Sequence, residues 1–256
     1  MLPRPSRAQR TLVTLAAAVA LVPALSGPAG AVPPTPDGPD YQAPAVGECR
    51  NIDMATAGHA SDTTAPVDCS TTHTTRVIAV GHLPDGVAWS QDAAAEKAAI
   101  RACQPAWNQA LGRTLPVRDM SAYSWFWFRP TKDQRSHGAR WIRCDLALRG
   151  GTKILPLPTD KTPALDQPPL SNKVARCLTP RTFYTTACSH KHAFRATGTF
   201  TVRSGTFPGA KKLNAAAMRK CPSRVSTDSY RWSYKLKAMW NVGKDHVVVC
   251  YSKKTS

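Results

Sequence analysis

Two short motifs could do chemistry with sulfur. Cys69-Ser70-Thr71-Thr72-His73 and Cys188-Ser189-His190-Lys191-His192 each set a histidine four residues after a cysteine. These are the residue types of a thiol nucleophile with its base, or of half a zinc site. The cysteine count argues against both. There are eight cysteines, an even number in a repeated frame, for which disulfides are the default in an exported chain. His73 and His192 are then expected to hydrogen-bond across a strand end, and neither a metal nor a cofactor is expected.

A carboxylate pair is the other route to hydrolysis, and it needs two acids at a fixed separation. The second half of the chain has no glutamate, and its aspartates Asp160, Asp166, Asp228 and Asp245 do not align with acids of the first. A site common to both halves is therefore excluded, while one confined to the first half could draw on Asp68, Asp85 or Glu96. No nucleophile-elbow, zinc-protease or phosphate-loop pattern is present to support it. Trp125 and Trp127 fall on one face of a strand with Phe126 and Phe128 on the other, which suggests a central strand covered on both faces. The alternative is an exposed tryptophan pair that stacks on sugar rings.

The elements that would position these residues follow from the ends inward. Arg4, Arg7 and Arg10 precede an apolar run from Leu12 to Leu25 and a small-residue site at Ala29-Gly30-Ala31, so residues 1–31 read as a signal peptide. That run is shorter than the roughly 20 apolar residues a membrane helix needs, and no stable membrane insertion is expected. Residues 32–46 form a proline-rich N-terminal segment. Beyond it the chain aligns with itself. Ala98-Ala99-Ile100-Arg101-Ala102-Cys103 meets Ala216-Ala217-Met218-Arg219-Lys220-Cys221, the two Cys-Ser-x-x-His motifs coincide, and Tyr123-Ser124-Trp125 meets Tyr230-Arg231-Trp232. The alignment predicts two repeats, 47–153 and 174–256, joined by a proline-rich linker over 154–173.

If pairing stays inside each repeat, nine disulfide patterns survive. The first two cysteines of each set lie on short apolar segments that could be adjacent strands; the third ends a helix and the fourth lies in a strand that could pack beneath it. This favours Cys49–Cys69, Cys103–Cys144, Cys177–Cys188 and Cys221–Cys250. Alternation predicts strands over 75–83 and 194–203, the latter with Phe194, Ala196, Phe200 and Val202 on one face. An alanine-rich helix follows in each half, with Ser90 as the first N-cap and Pro105 expected to kink or restart it. Further strands are predicted over 123–128 and 139–148, and over 230–239 and 246–252. The fold class is α+β: two tandem disulfide-stapled repeats, each a small antiparallel sheet with one helix packed on it.

Gly47-Glu48-Cys49, Val67-Asp68-Cys69-Ser70 with His73, the run from Val77 to Pro84, and Pro130, Gly138, Arg140 and Cys144 resemble the septum-formation domain family of actinobacterial envelope proteins. The second half is a weaker copy that keeps Cys188-Ser189, His192, Trp240, Gly243 and Cys250 but lacks the Val-Asp before its second cysteine and the Gly before its first. The resemblance implies a secreted or envelope-associated domain linked to division, and it implies no chemistry.

Charge divides the halves. Residues 32–155 carry 13 Lys and Arg against 12 Asp and Glu, whereas 156–256 carry 18 against 4. A field of one sign attracts polyanions and anionic surfaces and weakens as salt screens it. Strand alternation sets Arg231, Lys235 and Lys237 on one face, with Arg195 and Arg203 opposite the apolar side of their own strand. These five are the expected anion-binding residues, on the outer surface of the second sheet. The expected partner is an anionic envelope polymer or acidic lipid surface, without specific recognition of nucleic acid. The function expected is that of a secreted, non-catalytic envelope protein. The alternative is a wall-directed hydrolase with its site in the first repeat.

Overall fold

The alternating valines and isoleucines after His73 form the strand around which the first half is built. The computed structural model describes residues 37–159 and 161–254; the signal peptide expected over 1–31 lies outside them, as do residues 32–36 of the proline-rich segment. The first half runs β1 (Cys49–Arg50), β2 (Thr75–His82), α1 (Asp92–Leu111), α2 (Leu115–Asp119), β3 (Tyr123–Phe128), α3 (Lys132–Ser136), β4 (Trp141–Arg149) and β5 (Ile154–Leu155). The second runs β6 (Arg176–Leu178), β7 (Thr185–Ala187), β8 (Phe194–Thr201), α4 (Ala210–Lys220), β9 (Tyr230–Tyr234), α5 (Lys237–Asn241) and β10 (Val247–Lys253). Each half folds as a five-stranded antiparallel sheet, ordered β1-β2-β4-β3 with β5 also on β4, and β7-β6-β8-β10-β9.

One long helix lies on each sheet. On α1, Ala95, Ala98, Ala99, Ile100, Cys103, Trp107 and Leu111 are buried. A Cβ at Gly81 would lie 2.6 Å from Ala102 Cβ, so a glycine in β2 is what lets the helix approach this closely. The helix begins at Asp92 with Gln91 at the N-cap, one residue beyond the Ser90 expected from the sequence. It also runs unbroken through Pro105. The proline and Arg101, whose carbonyl loses its partner, are both exposed, so water takes over that acceptor and the usual penalty is reduced.

Disulfides Cys49–Cys69, Cys103–Cys144, Cys177–Cys188 and Cys221–Cys250 join first with second and third with fourth cysteine in each half. The second and fourth of these bonds tie α1 to β4 and the end of α4 to β10.

The strands carry a shared irregularity. The β2–β4 register shifts at Ile78 and the β8–β10 register at Thr197, the fourth residue of β2 and of β8. A bulge reverses which face the following residues present. Phe194 and Ala196 therefore pack with Tyr251 on one side of the second sheet, while Phe200 and Val202 pack with α4 on the other. Simple alternation placed all four on one face. The predicted strand over 230–239 also ends early, at Tyr234, and its last third is the short helix α5.

The halves share a core. Trp107, Leu111, Tyr123, Leu146 and Leu148 of the first half cluster with Ala175, Cys177, Ala187 and Cys188 of the second. Leu157, Leu165 and Leu170 from the proline-rich stretch join the same cluster, so that stretch is anchored at intervals by its leucines. Backbone bonds cross as well, from Ala122 N–H to the Val174 carbonyl (2.7 Å) and from Arg176 N–H to the Met120 carbonyl (2.7 Å).

Candidate functional site

With all eight cysteines in disulfides, neither Cys69 nor Cys188 supplies a thiolate. His73 and His192 each donate Nδ1–H to a carbonyl two residues back, Thr71 at 2.9 Å and His190 at 2.7 Å. These are bonds within a turn, not across a strand end, because the ring folds back over its own backbone.

The expected anion-binding residues are scattered by the tertiary fold. Arg195 bonds the side-chain oxygen of Asn172 and the Leu170 carbonyl, which holds the packed proline-rich stretch. Arg231 is exposed, its guanidinium 3.6 Å from the Phe183 ring centroid. Lys237 opens α5 and Arg203 follows β8, both exposed. Lys235 turns inward: its ammonium sits 2.8 Å from Asp119 Oδ1 and 3.3 Å from Asp245 Oδ2. The basic platform expected on the outer face of the second sheet is thus not formed. Leu115 of α2 packs against the apolar cluster that includes Leu178, Phe194 and Tyr251 on that face, so the face is partly covered and the exposed cations do not form a continuous row.

The free cations collect instead on the helix layer. α4 and α5 cover the same side of the second sheet, through Leu213, Ala217 and Trp240 packed with Phe200 and Val248. Asn214 orients the layer by accepting from the Trp232 indole N–H at 3.0 Å. With the apolar stripe turned inward, Lys211, Lys212 and Arg219 face outward on α4, joined by Lys237 on α5, while Lys220 is exposed at the margin with its ammonium 5.2 Å from the Phe200 ring centroid. Neither helix has an acidic residue, and Arg219 and Lys220 in the last turn also complement the helix dipole. Sequence reasoning passed over the α4 cations; their spacing at 211, 212, 219 and 220 was the signal.

Between the halves lies a charged cluster that alignment could not find, since its acids are not equivalent positions. Asp119 ends α2, Asp245 precedes β10, and both are buried beside Lys235 and Arg176. Burial pushes the Asp245 carboxyl up to about 6, with Asp119 adding to the rise and Lys235 opposing it. Burial works against the Lys235 ammonium, but the two carboxylates outweigh it and hold its pKa above the usual lysine range. Because the native Asp245 keeps its proton to a higher pH than the unfolded one, its contribution is complete below about pH 4 and is lost as pH rises through about 6. The stability of the wild type minus that of Asp245→Asn should therefore fall by about 2 kcal/mol between pH 4 and 6.5. Urea melts of both proteins across that range measure it, and parallel curves would contradict the assignment.

A cavity of about 590 Å³ lies in the first half between the 57–60 loop, the start of α1 and β3, lined by Asp92, Glu96, Trp125, Phe126, Trp127 and Arg129. Of the expectation of a central, doubly covered strand, the central position is corrected: Trp125 and Trp127 pack on the α1 side and Phe126 and Phe128 on the other, but among the described residues β3 pairs with β4 alone and is an edge. Of the three acids considered from sequence, only Glu96 reaches this groove. Asp68 accepts the Ser70 N–H in a turn, and Asp85 lies in an exposed turn before α1.

These features define an α+β protein with four internal disulfides, and among the described residues no helix is long and apolar enough to cross a membrane. The family model for septum formation matches residues 46–250, and the chain belongs to that family. No curated protein and no solved structure matches it.

Proposed function

We propose that this septum-formation protein is a secreted, non-catalytic envelope component that holds an anionic polymer on the helix layer of its second half. The observation that carries the reading is the outward group of Lys211, Lys212, Arg219 and Lys237, with the exposed Lys220 at its margin, on two helices without an acid. We read the halves as copies of one unit, in which the second has gained this charge. The common strand order, the bulge at the fourth residue of β2 and β8, and the matching disulfides support that reading.

The test uses the whole exported chain, since the halves share a core. Retention on immobilised poly(glycerol phosphate) should weaken steeply with salt. Replacing Lys211, Lys212, Arg219 and Lys220 by glutamine should lower affinity at 50 mM salt at least tenfold. Vesicles with acidic headgroups, run in parallel, separate a lipid surface from a polymer. Equal retention of wild type and variant would defeat the proposal. Glu96 and Asp92 at the first-half groove favour a second reading, a wall-directed hydrolase. Release of soluble fragments from purified peptidoglycan would select it.

A further inference from the structure

We propose that the open edge of β3 seats an extended peptide from a partner protein, which adds to the first sheet as one more strand. In the β3–β4 ladder Ala122 accepts from Arg149 N–H, so the even residues 124, 126 and 128 exchange hydrogen bonds with β4. The N–H and C=O of Trp125 and Trp127 then point away from the sheet. Among the described residues nothing pairs with them.

Both ends of this edge are closed. Ala122 N–H is taken by Val174, and Arg129 N–H donates to the Ala60 carbonyl at 2.9 Å. What lies between is a stretch of unpaired backbone about the length of a short strand, with room beside it. The groove of about 590 Å³ runs along Trp125 to Arg129, and a second cavity of about 230 Å³ runs along Tyr123 to Trp125. The two cavities meet at Trp125, which lines both, so room flanks the strand on either side of this residue. Soluble proteins usually cover, charge or shorten such an edge; here it is lined by aromatic rings and left free. Main-chain pairing is how an added strand gains affinity, and pockets for alternate side chains set its specificity.

The charges state what the strand should carry. Arg176 and Lys235 at the Tyr123 end already face Asp119 and Asp245. At the other end Arg129 lies 3.8 Å from Asp92, which leaves Glu96 without an ion-pair partner among the described residues, in a groove of net negative charge. The fitting ligand is an extended segment with β-branched residues and a lysine or arginine over Glu96. A polyanion, the ligand proposed for α4, is disfavoured here, so the two sites fail or succeed separately.

Amide exchange by NMR on the intact exported chain tests the idea. In the free protein the Trp125 and Trp127 amides should exchange quickly while those of Phe126 and Phe128 are protected. A capped peptide of sequence Lys-Thr-Val-Thr-Val-Thr-Thr, at millimolar concentration, should slow exchange at Trp125 and Trp127 at least tenfold, and its analogue with proline at the central position should not. Trp127→Pro, which an edge strand tolerates, should abolish the effect, whereas Trp127→Ala, which keeps the N–H, should retain most of the protection at Trp125. Trp125 and Trp127 amides already protected in the free protein, or no slowing by the peptide, would overturn the proposal. So would protection produced by an N-acetylglucosamine hexamer and lost equally in both variants, which would make the groove a sugar site.

Discussion

Replacing Cys103 and Cys144 together by alanine is expected to destabilise the protein by about 4 kcal/mol, the loop-entropy value for a bridge of this span. The bond closes 41 residues and both cysteines are fully buried, joining the middle of α1 to the central strand β4. The C-terminal part of α1 after Cys103, the 112–122 connection, all of β3 and α3 lie inside the loop, so breaking it frees much of the first half in the unfolded state. Removing Cys177 and Cys188, which close 11 residues, should cost about 3 kcal/mol on the same model. Guanidinium unfolding without reductant compares the two variants. A loss below about 1 kcal/mol for the longer bridge would mean that packing of α1 on β4, and not the cross-link, holds this layer together.

Lys235→Ala should be about as costly. It removes the cation that faces both Asp119 and Asp245, and stripping the partner from a buried charge typically costs about 3 to 5 kcal/mol. Lys235 is a quarter exposed while the carboxylates are almost fully buried, so water can replace the ammonium far better than it can reach the acids. The penalty should shrink as pH is lowered through about 6, because the Asp245 carboxyl then takes up a proton and no longer needs the cation. Adding Asp245→Asn to Lys235→Ala should recover a substantial part of the loss, and the double-mutant cycle isolates the coupling. A pH-independent loss, or strict additivity, would show that the lysine acts only by packing against Trp107, over whose ring it lies at 5.7 Å.

The sequence made the long elements legible wherever apolar residues recur at a regular spacing over several positions. Alternation over 75–82 and 194–201 and the helical spacing of Ile100, Cys103, Trp107 and Leu111 correspond to β2, β8 and α1. The short helices α2, α3 and α5 left no comparable trace, since five residues make little more than one turn and take their stability from packing. Reading 230–239 as one strand put Lys235 and Lys237 on a common face with Arg231. The turn after Tyr234 sends the three side chains into a buried ion cluster, an exposed helix end and an aromatic stack. The bulge at Thr197 escaped for a related reason: one extra residue exchanges the faces of a strand, and nothing in a run of apolar letters marks where it falls.

Composition and spacing alone determined that the cysteines are spent as disulfides within each half, that sheet and helix alternate in the α+β manner, and that positive charge belongs to the second half. These are properties of local order and of counts, and a linear chain displays them directly. Which charges are free, which edge is open and which acids meet was decided only when the second sheet laid its outer face against α2 and the proline-rich stretch closed over Trp107 and Tyr123. That docking brings Asp119 beside Asp245 across more than a hundred residues of chain. Contact between such distant positions depends on the shapes of two finished surfaces, not on periodicity within either one.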